Sequence, residues 1–314
     1  MSATLEITDE SPTRTMPVIS VRPVSLPAPG RGKDLQIRVS APTLGQQLPI
    51  IVFSHGMTLT MDDYVPLSEF WAEHGFVVIQ PTHLDSLGVA PNDPRTPDLW
   101  RLRVEDLTHI LDQLDRVEAA VPGLSGRVDS RLVVAAGHSW GAQTASMLAG
   151  ARVIEGGQAP GRSMADPRVR AALLFCLPGT GGADLSPMAA EYFPFMHPDF
   201  TEMATPSLVV AGDHDQSPLS TRGPDWFIDG YRLSPGATDL LVLAGGEHGL
   251  GGIQGFNDTR TTDESPERVA IVQHATVAWL RTTLGLDDSA WHRERQRLTA
   301  APKHPPTIES KSTK

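Results

Sequence analysis

Gly137-His138-Ser139-Trp140-Gly141 holds the residue types best suited to chemistry in this chain. A serine hydroxyl is a weak nucleophile near neutral pH and needs an adjacent base. Glycines two before and two after Ser139 permit a turn so sharp that the hydroxyl projects from it. The apolar run Arg131–Ala136 before it and the small-residue helical stretch Ala142–Ala149 after it supply the strand–turn–helix setting of a nucleophile elbow. The start of a helix also favours negative charge developing at that point.

Such an elbow calls for an acid and then a histidine further along the chain, in that order. Both are present, each on a loop after an apolar run. Ser207–Ala211 leads into Gly212-Asp213-His214-Asp215, and Asp239–Ala244 leads into Gly245-Gly246-Glu247-His248-Gly249. His248 is the candidate base. Asp215 is the preferred acid because a carboxylate three residues past the strand-ending glycine can turn back toward the base. Asp213 is the alternative, with a turn-shaping role if it is not the acid. The acid holds the imidazole tautomer and stabilises imidazolium without itself taking the proton. Acyl transfer also needs donors for the oxyanion. The N–H of Trp140, directly after the serine, is one, and the N–H of Met57, in the loop Ser54-His55-Gly56-Met57 after an earlier strand, is the other. His55 is expected to fix that loop by hydrogen bonds.

Other residues are weighed for substrate contact. His83, with Asp85, follows the second apolar strand and is a candidate for the pocket mouth or for plain loop hydrogen bonding. Trp226, with Phe227, either caps an acyl or aryl group or simply packs. Phe195 belongs to an apolar cluster with Met188, Tyr192, Phe193 and Met196, which fits a lid lining or a buried core equally. His214 and His248 near Asp215 are better explained by the serine–acid–histidine order than by a metal, so neither a metal nor a cofactor is expected.

The elements that must carry these residues are legible as short apolar runs alternating with helical patterns. Leu35–Val39, Leu48–Ser54, Phe76–Gln80, Arg131–Ala136, Ala171–Leu177, Ser207–Ala211 and Asp239–Ala244 read as strands. Trp100, Val104, Leu107, Leu111 and Leu114 mark one face of a long helix that runs to the Pro122-Gly123 break. Ser265-Pro266-Glu267 opens a helix that reaches Leu284. This alternation predicts an α/β fold, with a mostly parallel sheet and helices on both faces. Residues 1–16 and 300–314 are expected as flexible tails. One domain is expected over 17–299, because the loop near residue 56 and the base at 248 must meet, and 178–205 is a possible lid.

IVFSHGMTLTMDDYVPLSEFWAEHGFVVIQPTHLDS resembles the matching stretch of platelet-activating-factor acetylhydrolases, chlorophyllases and dienelactone-hydrolase-like esterases. Features from about Leu48 to Leu284 resemble the α/β-hydrolase superfamily. The resemblance implies the α/β-hydrolase fold with a small cap region, and it maps an oxyanion N–H to Met57. PSLVVAGDHDQSP is similar to the acid-bearing segment of cutinase-like polyester hydrolases, which maps the acid to Asp215. Two patterns depart from these relatives. The strand ending in FCLPGTGG has no carboxylate before Asp184, where platelet-activating-factor acetylhydrolases carry the acid. Ser139 also stands where dienelactone hydrolases proper have cysteine.

The expected function is a serine hydrolase cleaving a carboxylic ester or lactone through an acyl-enzyme. A thioesterase, a cofactor-free perhydrolase or haloperoxidase, and a non-catalytic ligand-binding protein of the same fold remain open. The chain has 314 residues and a formal charge of −11, with no cluster of Lys and Arg, which argues against a nucleic-acid partner. Its one cysteine, Cys176, cannot form an internal disulfide. The N-terminus lacks the basic and apolar regions of a signal peptide, and no apolar run is long enough to span a membrane, so a small-molecule substrate and a cytoplasmic location are expected.

Overall fold

The computed structural model describes residues 15–88, 95–156, 159–255, 258–300 and 305–311. Its centre is a nine-stranded sheet. In chain order the strands are β1 (Val18–Leu26), β2 (Leu35–Pro42), β3 (Leu48–Ser54), β4 (Val77–Pro81), β5 (Val128–His138), β6 (Val169–Phe175), β7 (Ser207–Gly212), β8 (Ala237–Leu243) and β9 (Thr307–Ser310). They lie side by side as β1-β2-β4-β3-β5-β6-β7-β8-β9. The strands from β4 to β8 in this order run parallel, and β1, β2 and β9 add antiparallel edges. The sheet is the mostly parallel one expected.

The central strands are continuous apolar runs because both faces are covered. Every residue of β3 (LPIIVFS) is buried. The longer helices around the sheet are α1 (Val65–Glu73), α2 (Leu99–Asp112), α3 (Leu114–Ala120), α4 (Trp140–Leu148), α5 (Pro266–Thr283) and α6 (Ala290–Ala300). Ser265 caps α5 as its sequence predicts, its hydroxyl accepting from the Arg268 N–H at 3.2 Å. The long helix expected from Asp98 toward Pro122 is instead two helices. Gln113 leaves helical geometry between them (φ −120°, ψ 28°), and its residue type gives no warning of the break. Trp100, Val104, Leu107 and Leu111 nevertheless form the predicted buried stripe.

The C-terminal stretch expected as a tail is corrected at 307–310. It forms β9 against the open edge of β8, because Asp239 of β8 gathers partners from three elements there. Its carboxylate accepts from Trp279 Nε1 at 2.8 Å, Trp291 Nε1 at 3.0 Å and Ser310 Oγ at 2.5 Å. Of the N-terminal stretch, residues 1–14 lie outside the described residues. In the 178–205 segment, Met196, Phe200 and Met203 are buried while Tyr192 is exposed, so this stretch contributes to the core as well as to the surface. No described helix is long and apolar enough to cross a membrane.

Candidate active site

The carboxyl ends of the parallel strands bring the predicted residues together. β5 runs into Ser139, which sits at φ 57°, ψ −123°, a backbone conformation costly for a residue with a side chain. The flanking glycines are required by contact. A Cβ on Gly137 would lie 2.1 Å from the Gly141 carbonyl oxygen, and one on Gly141 would lie 2.0 Å from the Ser54 carbonyl oxygen. The Ser139 N–H donates to the Phe175 carbonyl at 2.9 Å, tying the turn to β6.

Ser139 Oγ lies 3.0 Å from Nε2 of His248, the residue carried on the loop after β8. Nδ1 of the same ring lies 3.0 and 3.1 Å from the two carboxylate oxygens of Asp215, on the loop after β7. Asp215 is fully buried, whereas the His248 side chain is 40% exposed. The carboxylate therefore fixes the proton on Nδ1 and leaves Nε2 free to accept the serine proton. Asp213 is elsewhere: its Oδ1 accepts from the Gly245 N–H at 2.7 Å and faces His214, which is the turn-shaping alternative.

The loop after β3 packs beside the elbow. Among the described residues, neither the Met57 nor the Trp140 backbone N–H donates to any other group. That is the condition expected of two oxyanion donors. His55 is buried and fixes the loop as expected. Its Nε2 accepts from the His83 N–H at 3.1 Å, so Nδ1 carries the proton and donates to the Gly56 carbonyl at 2.7 Å. Burial first, and then the neighbouring Arg103 charge, hold its pKa well below the ordinary value and keep the ring neutral.

His83 is corrected as a pocket-mouth residue. It is fully buried beneath this loop, with Nδ1 2.8 Å from Asp106 and Nε2 2.9 Å from Ser54 Oγ. Asp106–His83–Ser54 repeats the partner order of Asp215–His248–Ser139. Ser54, however, is buried at the end of a strand and lies on no strained turn, so this second chain has no access to a substrate. Trp226 is corrected as well: it is 1% exposed, its indole N–H donates to the Thr180 carbonyl at 2.8 Å, and it packs on Phe227. Phe195 is half-buried and stacks on the Trp140 ring with centroids 5.2 Å apart, adjacent to the serine. A cavity of about 510 Å3 borders His248, lined also by His214, Gln216, Glu247, Gly249, Arg260 and Thr262. Its lining is mainly polar, and none of the residues weighed for substrate contact is part of it.

Three participants were not foreseen. Tyr64, at the start of α1, accepts from the Gly56 N–H at 3.1 Å and donates to His138 Nδ1 at 2.8 Å. His138 Nε2–H in turn donates to the His248 carbonyl at 2.8 Å. This directed chain joins the Met57 loop to the loop of His248. Burial, reinforced by the nearby His248, pushes the His138 pKa down to about 3, so its ring is a neutral link. His138, Cys176 and His248 offer atoms of metal-ligand type within 4.8 Å of one another, but the hydrogen bonds above already occupy both nitrogens of each imidazole. The third participant, Arg103, projects from α2 under the Met57 loop. A signal for it exists in the sequence, since an arginine three residues after Trp100 falls on the apolar stripe.

The model of the Chlorophyllase family matches residues 15–154. The chain has the α/β-hydrolase fold. The part similar to the Chlorophyllase family carries β1 to β5, the Met57 loop, Arg103 and the Ser139 elbow. Asp215 and His248 lie beyond it. No curated protein matches the chain.

Proposed function

We propose that this protein of the α/β-hydrolase fold is a serine ester hydrolase acting on a small carboxylic ester or lactone, with Ser139 as nucleophile, His248 as base and Asp215 as acid. The observation that carries the reading is the continuous line of contacts from Asp215 through His248 to Ser139 Oγ, all within 3.1 Å, on a strained elbow. The similarity of the first half to the Chlorophyllase family supports ester chemistry.

In this reading Ser139 Oγ attacks the ester carbonyl carbon while its proton passes to His248 Nε2. The carbonyl electron pair moves onto oxygen, which accepts from the Met57 and Trp140 N–H groups. The tetrahedral intermediate collapses, the C–O bond to the alcohol breaks, and His248 returns the proton to the departing oxygen. Water then repeats the sequence on the acyl-serine: its proton goes to His248, and Ser139 leaves with that proton as the acid is released. Preorganised donors at the oxyanion supply a large share of such catalysis. The elbow is held by backbone contacts and the Met57 loop by the side chains of His55, Tyr64 and Arg103 before any substrate arrives. Turnover of p-nitrophenyl acetate tests the reading. The wild-type protein is expected to hydrolyse it and Ser139→Ala to lose that activity, whereas unchanged turnover by Ser139→Ala overturns the assignment.

A further inference from the structure

We propose that Arg103 is a positioning residue for the oxyanion hole, orienting the Gly56–Met57 peptide and bracing Trp140 with one buried guanidinium. The proposal rests on the ester-hydrolase reading. The Arg103 side chain is 1% exposed. Its Nε and Nη2 reach the two oxygens of Asp85 at 3.0 and 3.1 Å in a forked pair. The remaining hydrogen-bonding capacity goes to the loop. Nη1 donates to the His55 carbonyl at 2.8 Å and lies 3.4 Å from Ser54 Oγ, and Nη2 donates to the Gly56 carbonyl at 3.3 Å. The guanidinium carbon also sits 4.4 Å from the centroid of the Trp140 ring.

Peptide planarity turns these contacts into directions. In a trans peptide the C=O and N–H point opposite ways. With the His55 carbonyl held by Arg103, the Gly56 N–H faces away from it and meets Tyr64 Oη at 3.1 Å. With the Gly56 carbonyl held by Arg103 and by His55 Nδ1, the Met57 N–H faces away from the guanidinium and donates to nothing among the described residues. A charged donor on a carbonyl also polarises the peptide and strengthens its N–H as a donor. The same cation lies against the residue that carries the second oxyanion N–H. Lysine cannot substitute, because it has no planar fork to satisfy a carboxylate and two carbonyls at once and no flat face for the indole. Asp85 keeps the cation paired. Burial alone raises its pKa, but the Arg103 charge and hydrogen bonds outweigh this and hold it below the usual carboxylate range.

The test uses the full chain, p-nitrophenyl acetate kinetics, a trifluoromethyl ketone that adds to the serine as a tetrahedral oxyanion, and the matching alcohol, which binds without reacting. Arg103→Lys is expected to lower kcat about 10- to 100-fold, a fraction of the loss seen on removing a whole oxyanion donor. KM should stay within about twofold, the pattern of an interaction made only in the transition state. Ketone affinity should fall with kcat/KM, and alcohol affinity should hold. Asp85→Asn, which keeps the carbonyl contacts, should lose less. If Arg103→Lys does not fold, the double variant Arg103→Met with Asp85→Leu removes the pair without stranding a charge and should show the same split. A folded variant with wild-type kcat and ketone affinity overturns the proposal, as do equal losses for ketone and alcohol. A wild-type protein inert toward ester and ketone overturns the hydrolase reading and this role together, whereas an active wild type with indifferent Arg103 variants overturns this role alone.

Discussion

Gly141→Ala inserts one methyl group where the elbow meets the oxyanion loop. The new Cβ would lie 2.0 Å from the Ser54 carbonyl oxygen, 2.6 Å from its carbon and 2.7 Å from the His55 carbonyl oxygen. An ordinary close carbon–oxygen contact is about 3.3 Å, so the two backbones must separate by roughly 1.3 Å. Neither side has a flexible chain end that can swing away. The Ser54 and His55 carbonyls belong to the loop that carries Met57, and Gly141 directly follows Trp140, so the same displacement drives the two oxyanion donors apart. A misplacement near 1 Å in a reacting constellation costs on the order of 100-fold in rate. Overpacking of this kind also costs about 1–3 kcal/mol of stability or more. The assay is kcat on p-nitrophenyl acetate with a thermal melt, and Gly30→Ala is the control because nothing lies within 4 Å of its added carbon. A Gly141→Ala protein that melts and turns over like wild type would refute the view that elbow–loop packing sets the site.

Asp215→Asn is expected to reduce kcat by about 10⁴-fold through loss of the required His248 tautomer. Asp213→Asn, whose contacts are to the Gly245 N–H and His214, should keep kcat near wild type. Equal damage from both, measured by steady-state kinetics, would return the choice of acid to the open alternative. Acid pH should destabilise the fold through its buried neutral histidines, His55, His83 and His138, whose pKa values burial lowers. The unfolded chain takes up these protons near the ordinary value of 6.5, while His138 in the fold waits until about 3. Stability is therefore full above 6.5 and falls as the pH drops below it, by up to about 1.4 kcal/mol per pH unit for each histidine. Urea midpoints at pH 7, 6 and 5 check this, and a flat profile would count against it.

The core of the fold was legible because its strands are unbroken apolar runs. Leu48–Ser54 is bounded as its sequence reads, and the elbow, the acid and the base each follow such a run. The periphery was not. β1 alternates weakly and contains Pro23, α6 is mostly polar with only Ala290, Trp291, Glu294 and Leu298 buried, and β9 is four residues anchored by a distant aspartate. The polar layer under the oxyanion loop was missed for a related reason. A histidine or aspartate after a strand reads alike whether it faces solvent or the interior, so the residue types leave His83 open between the pocket mouth and loop hydrogen bonding, and it lies buried beneath the loop. Only partner geometry separates the buried Asp106–His83–Ser54 chain from the accessible one.

The central claim is that Ser139, and no other serine, is the nucleophile. Its most direct measurement is labelling of the intact protein with a fluorophosphonate probe, followed by peptide mass spectrometry and parallel ester turnover. One adduct per chain is expected, on Ser139, with activity lost in proportion to labelling and neither label nor turnover in Ser139→Ala. An adduct on Ser54 or elsewhere, or turnover that survives in Ser139→Ala, would contradict it.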